Sequence, residues 1–292
     1  MIPLLGSDAF AGQLGPPRNR GASPIFRAKI RVDGASLHCY VKPLPDRIRC
    51  PVSGREVANQ EIVSEALGYV LARSVGLKVP DVAGIILLEP RQIPKELHPA
   101  LREACGGRAQ SDYFCWFSKD MKYPSLRQLH LDDVRHPWLQ KLRGRRLARQ
   151  LADNPESSSI IVLDQWLLNS DRNIGNLLES PCKSLFLIDH GRLFHYPNWE
   201  PGRIGMAPWP WENRLQKLID DFIPDWSEAL PNKSARALAY NIFAVSFRET
   251  GAEAARIVLS EFFEHTEIEV ILRLLAERLE QEQYTEAADF IP

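Results

Sequence analysis

Apolar residues recur along this chain with two different periods, and the change of period divides it. The runs in the first third are short and strand-like. Phe26 to Val32 and Leu37 to Lys42 flank Asp33-Gly34, a dipeptide suited to a tight hairpin because both residues tolerate positive φ. Val82 to Leu88 reads as a buried strand, and Asp112 to Phe117 as a short aromatic one. Between them Ile62, Ala66, Leu67, Val70 and Leu71 follow the helical period, and Gly76 supplies the stop. Residues 1–24 are rich in Gly and Pro and read as a loop.

Beyond residue 117 the pattern turns mostly helical. Pro137 to Ala152 is one predicted helix, with Pro137 acceptable in its first turn. Ser157 to Leu168 is a second. Two short strands are expected at Asn176 to Leu178 and Ser184 to Ile188. Further helices span Ser234 to Glu249 and, at the end, about Glu267 to Gln283. Thr266-Glu-Ile-Glu269 reads as a capping box for the last of them. Strands first and helices after imply an α+β architecture with a boundary near residue 117.

Composition narrows the class. The chain has 292 residues, 45% of them hydrophobic, enough for one large domain or two packed lobes. Its formal net charge is −1, so the molecule as a whole carries no field for collecting nucleic acid or anionic membrane. Five cysteines, Cys39, Cys50, Cys105, Cys115 and Cys182, are widely spaced and include no Cys-x-x-Cys pair. They read as reduced thiols rather than a zinc site or disulfide framework. No signal-peptide pattern opens the chain and no stretch is apolar for the length of a membrane span, so a cytoplasmic protein is expected.

The chemistry concentrates in Asn169-Ser-Asp-Arg-Asn-Ile-Gly-Asn-Leu-Leu178 and Leu185-Phe-Leu-Ile-Asp-His-Gly191. A polar loop follows an apolar helix, and an apolar strand then delivers Asp189 to a turn at Gly191. Phosphoryl transfer needs these residue types close together. One carboxylate takes the proton of the attacking hydroxyl, and a second carboxylate with an amide oxygen holds the metal ions on the phosphates. Asp171 suits the first role, and Asn176 and Asp189 the second.

Asp171-x4-Asn176 followed by an apolar strand ending in Asp189-x-Gly191 resembles the catalytic loop and metal-binding turn of the protein-kinase superfamily. With Arg172 after the Asp rather than before it, and with Ile188-Asp-His-Gly191, it is closer to the HipA-like kinases; phosphoinositide kinases are similar at these residues. The resemblance implies a two-lobed, protein-kinase-like fold. Residues 1–117 would form a small β-rich N-lobe, and residues 118–292 a larger helical C-lobe. His38-Cys-Tyr-Val-Lys42 resembles the strand whose lysine contacts the α and β phosphates. Ser64 to Pro80 resembles the family's first helix, with Glu65 as the partner of that lysine and Glu61, one turn away, as the runner-up. Arg20, Gly21 and Ser23 stand where the phosphate-covering loop belongs, and Cys115 and Phe117 where the adenine-contacting hinge belongs. Two departures stand out: no Gly-x-Gly-x-x-Gly precedes Lys42, and no Ala-Pro-Glu follows Asp189.

The implied activity is transfer of the γ-phosphate of ATP, with Mg2+, to a Ser or Thr hydroxyl of a protein substrate. The alternatives are a small-molecule or lipid kinase of the same fold, or a nucleotide-binding pseudokinase adaptor with a regulatory partner protein. Other residues take plainer readings. Arg172 braces the loop, His190 packs, Asp164 makes a structural hydrogen bond, and Ser23 is a loop serine rather than a modification site. Lys141, Arg143, Arg145, Arg146 and Arg149 read as a solvated helix face. Trp199, Trp209 and Trp211, set among prolines, either face the phosphoacceptor or cap the core.

Overall fold

The Asp33-Gly34 turn closes as its residue types require: φ is 49° and 78° at the two positions, and Val32 pairs with Ala35 across it. This hairpin lies inside a six-stranded sheet in a computed structural model of the chain. The structure describes residues 2–17, 23–50, 54–108, 110–134, 136–194, 199–206 and 212–280. The first strands are β1 (Leu4–Leu5), β2 (Phe10–Gln13), β3 (Phe26–Val32) and β4 (Ala35–Leu44). A separate ribbon, β5 (Arg47–Arg49) and β6 (Glu56–Ala58), leads to helix α1 (Glu61–Ser74). Then come β7 (Ala83–Leu88), α2 (His98–Ala104) and β8 (Tyr113–Lys119). The order across the sheet is β1-β7-β8-β4-β3-β2, with β1 parallel to β7 and the other neighbours antiparallel.

Two expectations change here. Residues 4–13 are not the loop that their composition suggests, because β1 and β2 form the two edges of the sheet. Gly12, at φ 120°, sits where the β2–β3 register shifts, so the glycine serves a bulge rather than a loop. The chain also stays in the sheet past residue 117, to Lys119.

Helix α1 ends as Gly76 predicts. Gly76 has φ 82°, its N–H donates to the carbonyl of Arg73, and the N–H of Leu77 donates to that of Ala72. Those paired bonds satisfy carbonyls the helix would otherwise leave open.

Among the described residues, the rest is mostly helical, with one small hairpin. Its elements are α3 (Leu126–His130), α4 (Pro137–Ala152), α5 (Glu156–Trp166), β9 (Leu177–Glu179), β10 (Leu185–Leu187), α6 (Arg214–Asp220) and α7 (Leu230–Ser246). A π-helical turn, Phe247–Gly251, carries α7 into α8 (Ala252–Leu259), and α9 (His265–Glu277) follows. The cap of α9 uses Glu264 and Glu267 rather than Thr266 and Glu269. No described helix is long and apolar enough to cross a membrane. All five cysteines are free.

The sheet has an apolar core on each face. On one side Phe26, Ile30, Val41, Ile86, Leu88 and Phe117 pack with Leu101 of α2. On the other, Trp116 and Ile85 join α1, and α1 in turn packs on α8 and the π-helical turn. That second core continues without a break into Leu163, Trp166, Phe243 and Ile271. Helix α1 is therefore shared by the sheet and the helices, and eleven of its residues are buried. A side chain on α1 can face both regions.

Candidate active site

Strand alternation aims Lys42. Cys39 and Val41 of β4 enter the outer core, so Lys42 points to the opposite face, toward α1. Its ammonium lies 3.0 Å from Glu65 Oε1, 2.8 Å from Asp189 Oδ1 and 2.5 Å from Glu61 Oε1. Glu61 and Glu65 stand one helical turn apart on α1 and so reach one cation together. Asp189 comes from 147 residues further along the chain.

Glycines permit this approach. A Cβ on Gly191 would sit 2.6 Å from Cγ of Glu61, and one on Gly68 would sit 2.4 Å from Cβ of His190. Asp189 itself has φ 57°, a left-handed conformation that costs a non-glycine residue about 1–3 kcal/mol. Its bond to Lys42 and the next residue's N–H, which donates to Glu65 Oε2 at 2.7 Å, hold it there.

Three carboxylates thus surround one ammonium. Burial works against the charge of Lys42, but Asp189, Glu65 and Glu61 outweigh it and hold its pKa well above the ordinary lysine value. Burial pushes Glu65 up to about 8, against the pull of Lys42, with Asp189 and Glu61 adding to the rise. Partial burial would raise Asp189 as well, yet Lys42 prevails and holds it well below the usual carboxylate range. Asp189 is therefore the ionised member, and Glu65 the one that most readily keeps a proton. The Asp189 side chain is 35% exposed, while that of Glu65 is fully buried, so the charged edge of the cluster faces outward.

The loop after α5 is pinned from below. Arg172 is almost fully buried and donates through Nε to both oxygens of Asp164, at 3.1 and 3.2 Å. Its Nη1 donates to the Ile188 carbonyl at 2.9 Å, and its Nη2 lies 3.2 Å from His190 Nδ1. Arg172 therefore ties the loop to the segment that carries Asp189, as a brace should. Burial pushes Asp164 up to about 6 despite Arg172 and Asn169. Burial, then the charge of Arg172, pushes His190 well below its ordinary value. The neutral ring accepts at Nδ1, and its buried Nε2 has no hydrogen-bond partner among the described residues. Asp164 and His190 are thus structural, as their sequence context indicates.

Asn176 sits beside Asp189 because β9 and β10 are paired. Leu177 lies opposite Leu187, and Ile188 donates its N–H to the Asn176 carbonyl at 3.1 Å. The Asn176 side chain donates Nδ2 to the Asp171 carbonyl at 3.0 Å. That bond engages one of the amide's two N–H donors and fixes which way the group is turned, with Oδ1 an acceptor. Asp171 receives support from Asn169, whose Oδ1 accepts the Asp171 N–H at 3.1 Å. The Asp171 carboxylate is 27% exposed and touches two guanidinium groups. Arg214 Nη1 is 2.6 Å from Oδ1, and Arg192 Nε is 3.7 Å from Oδ2.

The structure therefore brings Lys42, Glu65 and Asp189 into one cluster, and sets Asn176 between Asp189 and Asp171. Glu61 joins as a third ion-pair partner of Lys42. Two expected residues are not brought in. Cys115 and Phe117 are fully buried in the outer core, because β8 pairs Lys42 with Trp116 and so turns residues 115 and 117 to the other face. The aromatic that does face α1 is Trp116, packed edge-on against Tyr69. Ser23 is half-buried just ahead of β3. Arg20 and Gly21 lie outside the described residues, as do Trp209 and Trp211. Trp199 caps the core: it is 3% exposed, packs edge-on against Phe194 and at a tilt against Phe263, and donates to Ser64 Oγ at 3.1 Å. On α4, Lys141, Arg145, Arg146 and Arg149 are exposed and Arg143 half-buried. Arg192 and Arg214 escaped the sequence reading. The position of Arg192 directly after Gly191 was the available signal for the first, and Arg214 offers none. No protein-family model matches the chain, and no curated protein matches it.

Proposed function

We propose that this protein is an ATP-dependent phosphotransferase of the HipA-like kinase type, with the two-lobed, protein-kinase-like arrangement that such an activity uses. The acceptor in this reading is a Ser or Thr hydroxyl of a protein. The observation that supports it most is the meeting of Lys42, Glu65 and Asp189, residues from three separate segments, within hydrogen-bond distance of one ammonium.

The donor set fits a hard divalent ion. Asp189 offers an ionised, outward-facing carboxylate, and Asn176 an amide oxygen whose group is oriented by its bond to the Asp171 carbonyl. These two residues would hold Mg2+, which when bound neutralises charge on the nucleotide phosphates. Lys42, oriented by Glu65 and Glu61, would contact the phosphates as a point charge. The acceptor oxygen forms a bond to the γ-phosphorus, the bond from that phosphorus to the β–γ bridging oxygen breaks, and ADP leaves with the electron pair. The hydroxyl proton passes to the Asp171 carboxylate. Arg172 keeps the segments bearing Asp171 and Asp189 in register, so that little rearrangement is needed during transfer.

The test is incubation with γ-labelled ATP, magnesium and a cell lysate, comparing wild type with Asp171→Ala and Asp189→Ala. Labelling of the protein or of a lysate protein is expected, reduced by about 10²–10⁴-fold in Asp171→Ala. Loss in Asp189→Ala should come with weakened ATP uptake by calorimetry. Labelling that survives both substitutions would refute the assignment.

A further inference from the structure

The Asp171 carboxylate is the candidate base, yet both its oxygens already have cationic neighbours. Arg214 holds Oδ1 directly, and Arg192 stands beside Oδ2. Both arginine side chains are accessible, 54% and 48% exposed respectively. Neither is needed to keep the loop in place, since Arg172, Asn169 and Asn173 already do that from the protein side.

Arg214 is also firmly mounted. The preceding residue, Asn213, is buried, caps α6 by accepting from the N–H groups of Leu215 and Gln216, and donates to the Ile161 carbonyl on α5. The backbone of Arg192 is fixed likewise, its carbonyl accepting the Ser170 N–H. Two mounted, solvent-reaching guanidinium groups therefore flank the spot where an acceptor hydroxyl must enter to reach Asp171. The nearest acidic neighbour in sequence, Glu212, is paired with Lys217.

We infer that Arg192 and Arg214 select an acceptor whose Ser or Thr is flanked by a carboxylate side chain, and that this carboxylate draws Arg214 off Asp171 as the substrate docks. The inference rests on the phosphotransferase reading and specifies its substrate. A guanidinium fork matches a carboxylate in a bidentate way, so the exchange replaces one charge-assisted pair by another and releases Oδ1 for the hydroxyl proton. Before docking, the base is occupied; after it, the base is open. Recognition and activation are then one event. A peptide fits better than a lipid surface, because two cations are fewer than the cluster of about four to eight that holds a protein on anionic membrane.

The test uses the full chain with ATP and magnesium, and fluorescent peptides alike except for the residues around a single serine: Glu, uncharged or Lys. Binding is followed by anisotropy and transfer by labelled phosphate, with calorimetric ATP uptake measured on the same sample. The Glu-flanked peptide should bind about tenfold tighter than the uncharged one, the equivalent of one charge-assisted contact. Arg214→Ala should erase most of that advantage, and Arg214→Glu should pass it to the Lys-flanked peptide. Arg192→Glu should shift preference in the same direction, which mere loosening of the fold would not do. Equal binding of the three peptides by wild type overturns the inference. So does a Glu advantage that survives Arg214→Glu, or tighter binding to vesicles bearing phosphorylated inositol lipid than to any peptide. If ATP is taken up and peptide binding is indifferent to charge, the inference alone falls. If ATP is not taken up, the phosphotransferase reading falls with it.

Discussion

The two ends of the site hold their carboxylates in opposite ways. Around Lys42, three carboxylates share one cation that is 8% exposed, and the contacts are packed between the sheet and α1. Around Asp171, the cations are the exposed partners and about half of each is in water. Coulombic interaction is several-fold stronger at the effective dielectric of the first place than in the solvent that reaches the second. The Lys42 end is therefore stiff, and removal of one member leaves charges stranded. The Asp171 end has partners that solvent screens and that can exchange at little cost. In the proposed phosphotransferase, the first would serve a nucleotide of constant shape and the second an acceptor that comes and goes.

The comparison breaks most readily at Lys42. Lys42→Met leaves the ionised Asp189, beside Glu65 and Glu61, without its cation. It should cost about 3–5 kcal/mol of stability in urea denaturation, together with loss of ATP uptake. A loss below about 1 kcal/mol would show that the cluster neutralises itself by taking up protons instead. Gly68→Ala presses a methyl group against His190, on the segment that carries Asp189. A loss of about 1–3 kcal/mol is expected in the same assay, even though alanine is the better helix former. A gain would mean that the segment yields easily and that the stiffness is overstated.

A pH series sharpens the contrast further. His190 is neutral in the fold but takes a proton in the unfolded chain below about pH 6.5, the ordinary histidine value. Its contribution is present above that value and lost as pH falls through it. Glu65 and Asp164 act in the opposite sense, because their raised values make folding take up a proton. The useful quantity is thus the difference between wild type and His190→Gln. Wild type should lose its advantage over the variant between pH 7 and 5, by at most about 1.4 kcal/mol per pH unit. A difference that stays constant with pH would mean that His190 takes up its proton alike in the folded and the unfolded chain. The smallest effect belongs to Arg214→Ala. Its exposed pair with Asp171 should contribute less than about 1 kcal/mol to stability, and that little should fade with added salt. A larger, salt-insensitive loss would make the Asp171 end as fixed as the Lys42 end.

The strand and helix periods were legible because they are local. Phe26–Val32 and Pro137–Ala152 have the bounds that their patterns predict, and the stop at Gly76 follows from its lack of a Cβ. The spacing of Asp171, Asn176 and Asp189 was legible for the same reason, since one turn and one short hairpin join them. Residues 4–13 misled because a bulge glycine and a loop glycine look alike until a partner strand is known. The side chains of Cys115 and Phe117 face away from Lys42 by one residue of parity. Alternation predicts two faces, but which face looks at Lys42 depends on the register with β4.

What the sequence alone determined is therefore what neighbouring residues impose on one another: the hairpin at Asp33-Gly34, the helix under Glu61 and Glu65, and the acidic turn at Asp189. Packing decided that Glu61 joins Glu65 at Lys42, that Arg172 closes on Asp164 and His190, and that Arg214 reaches Asp171 from 43 residues away. Backbone periodicity acts over a few residues and is written in their order. The direction of a charged side chain is set by which distant segment folds against it, and only the assembled core supplies that.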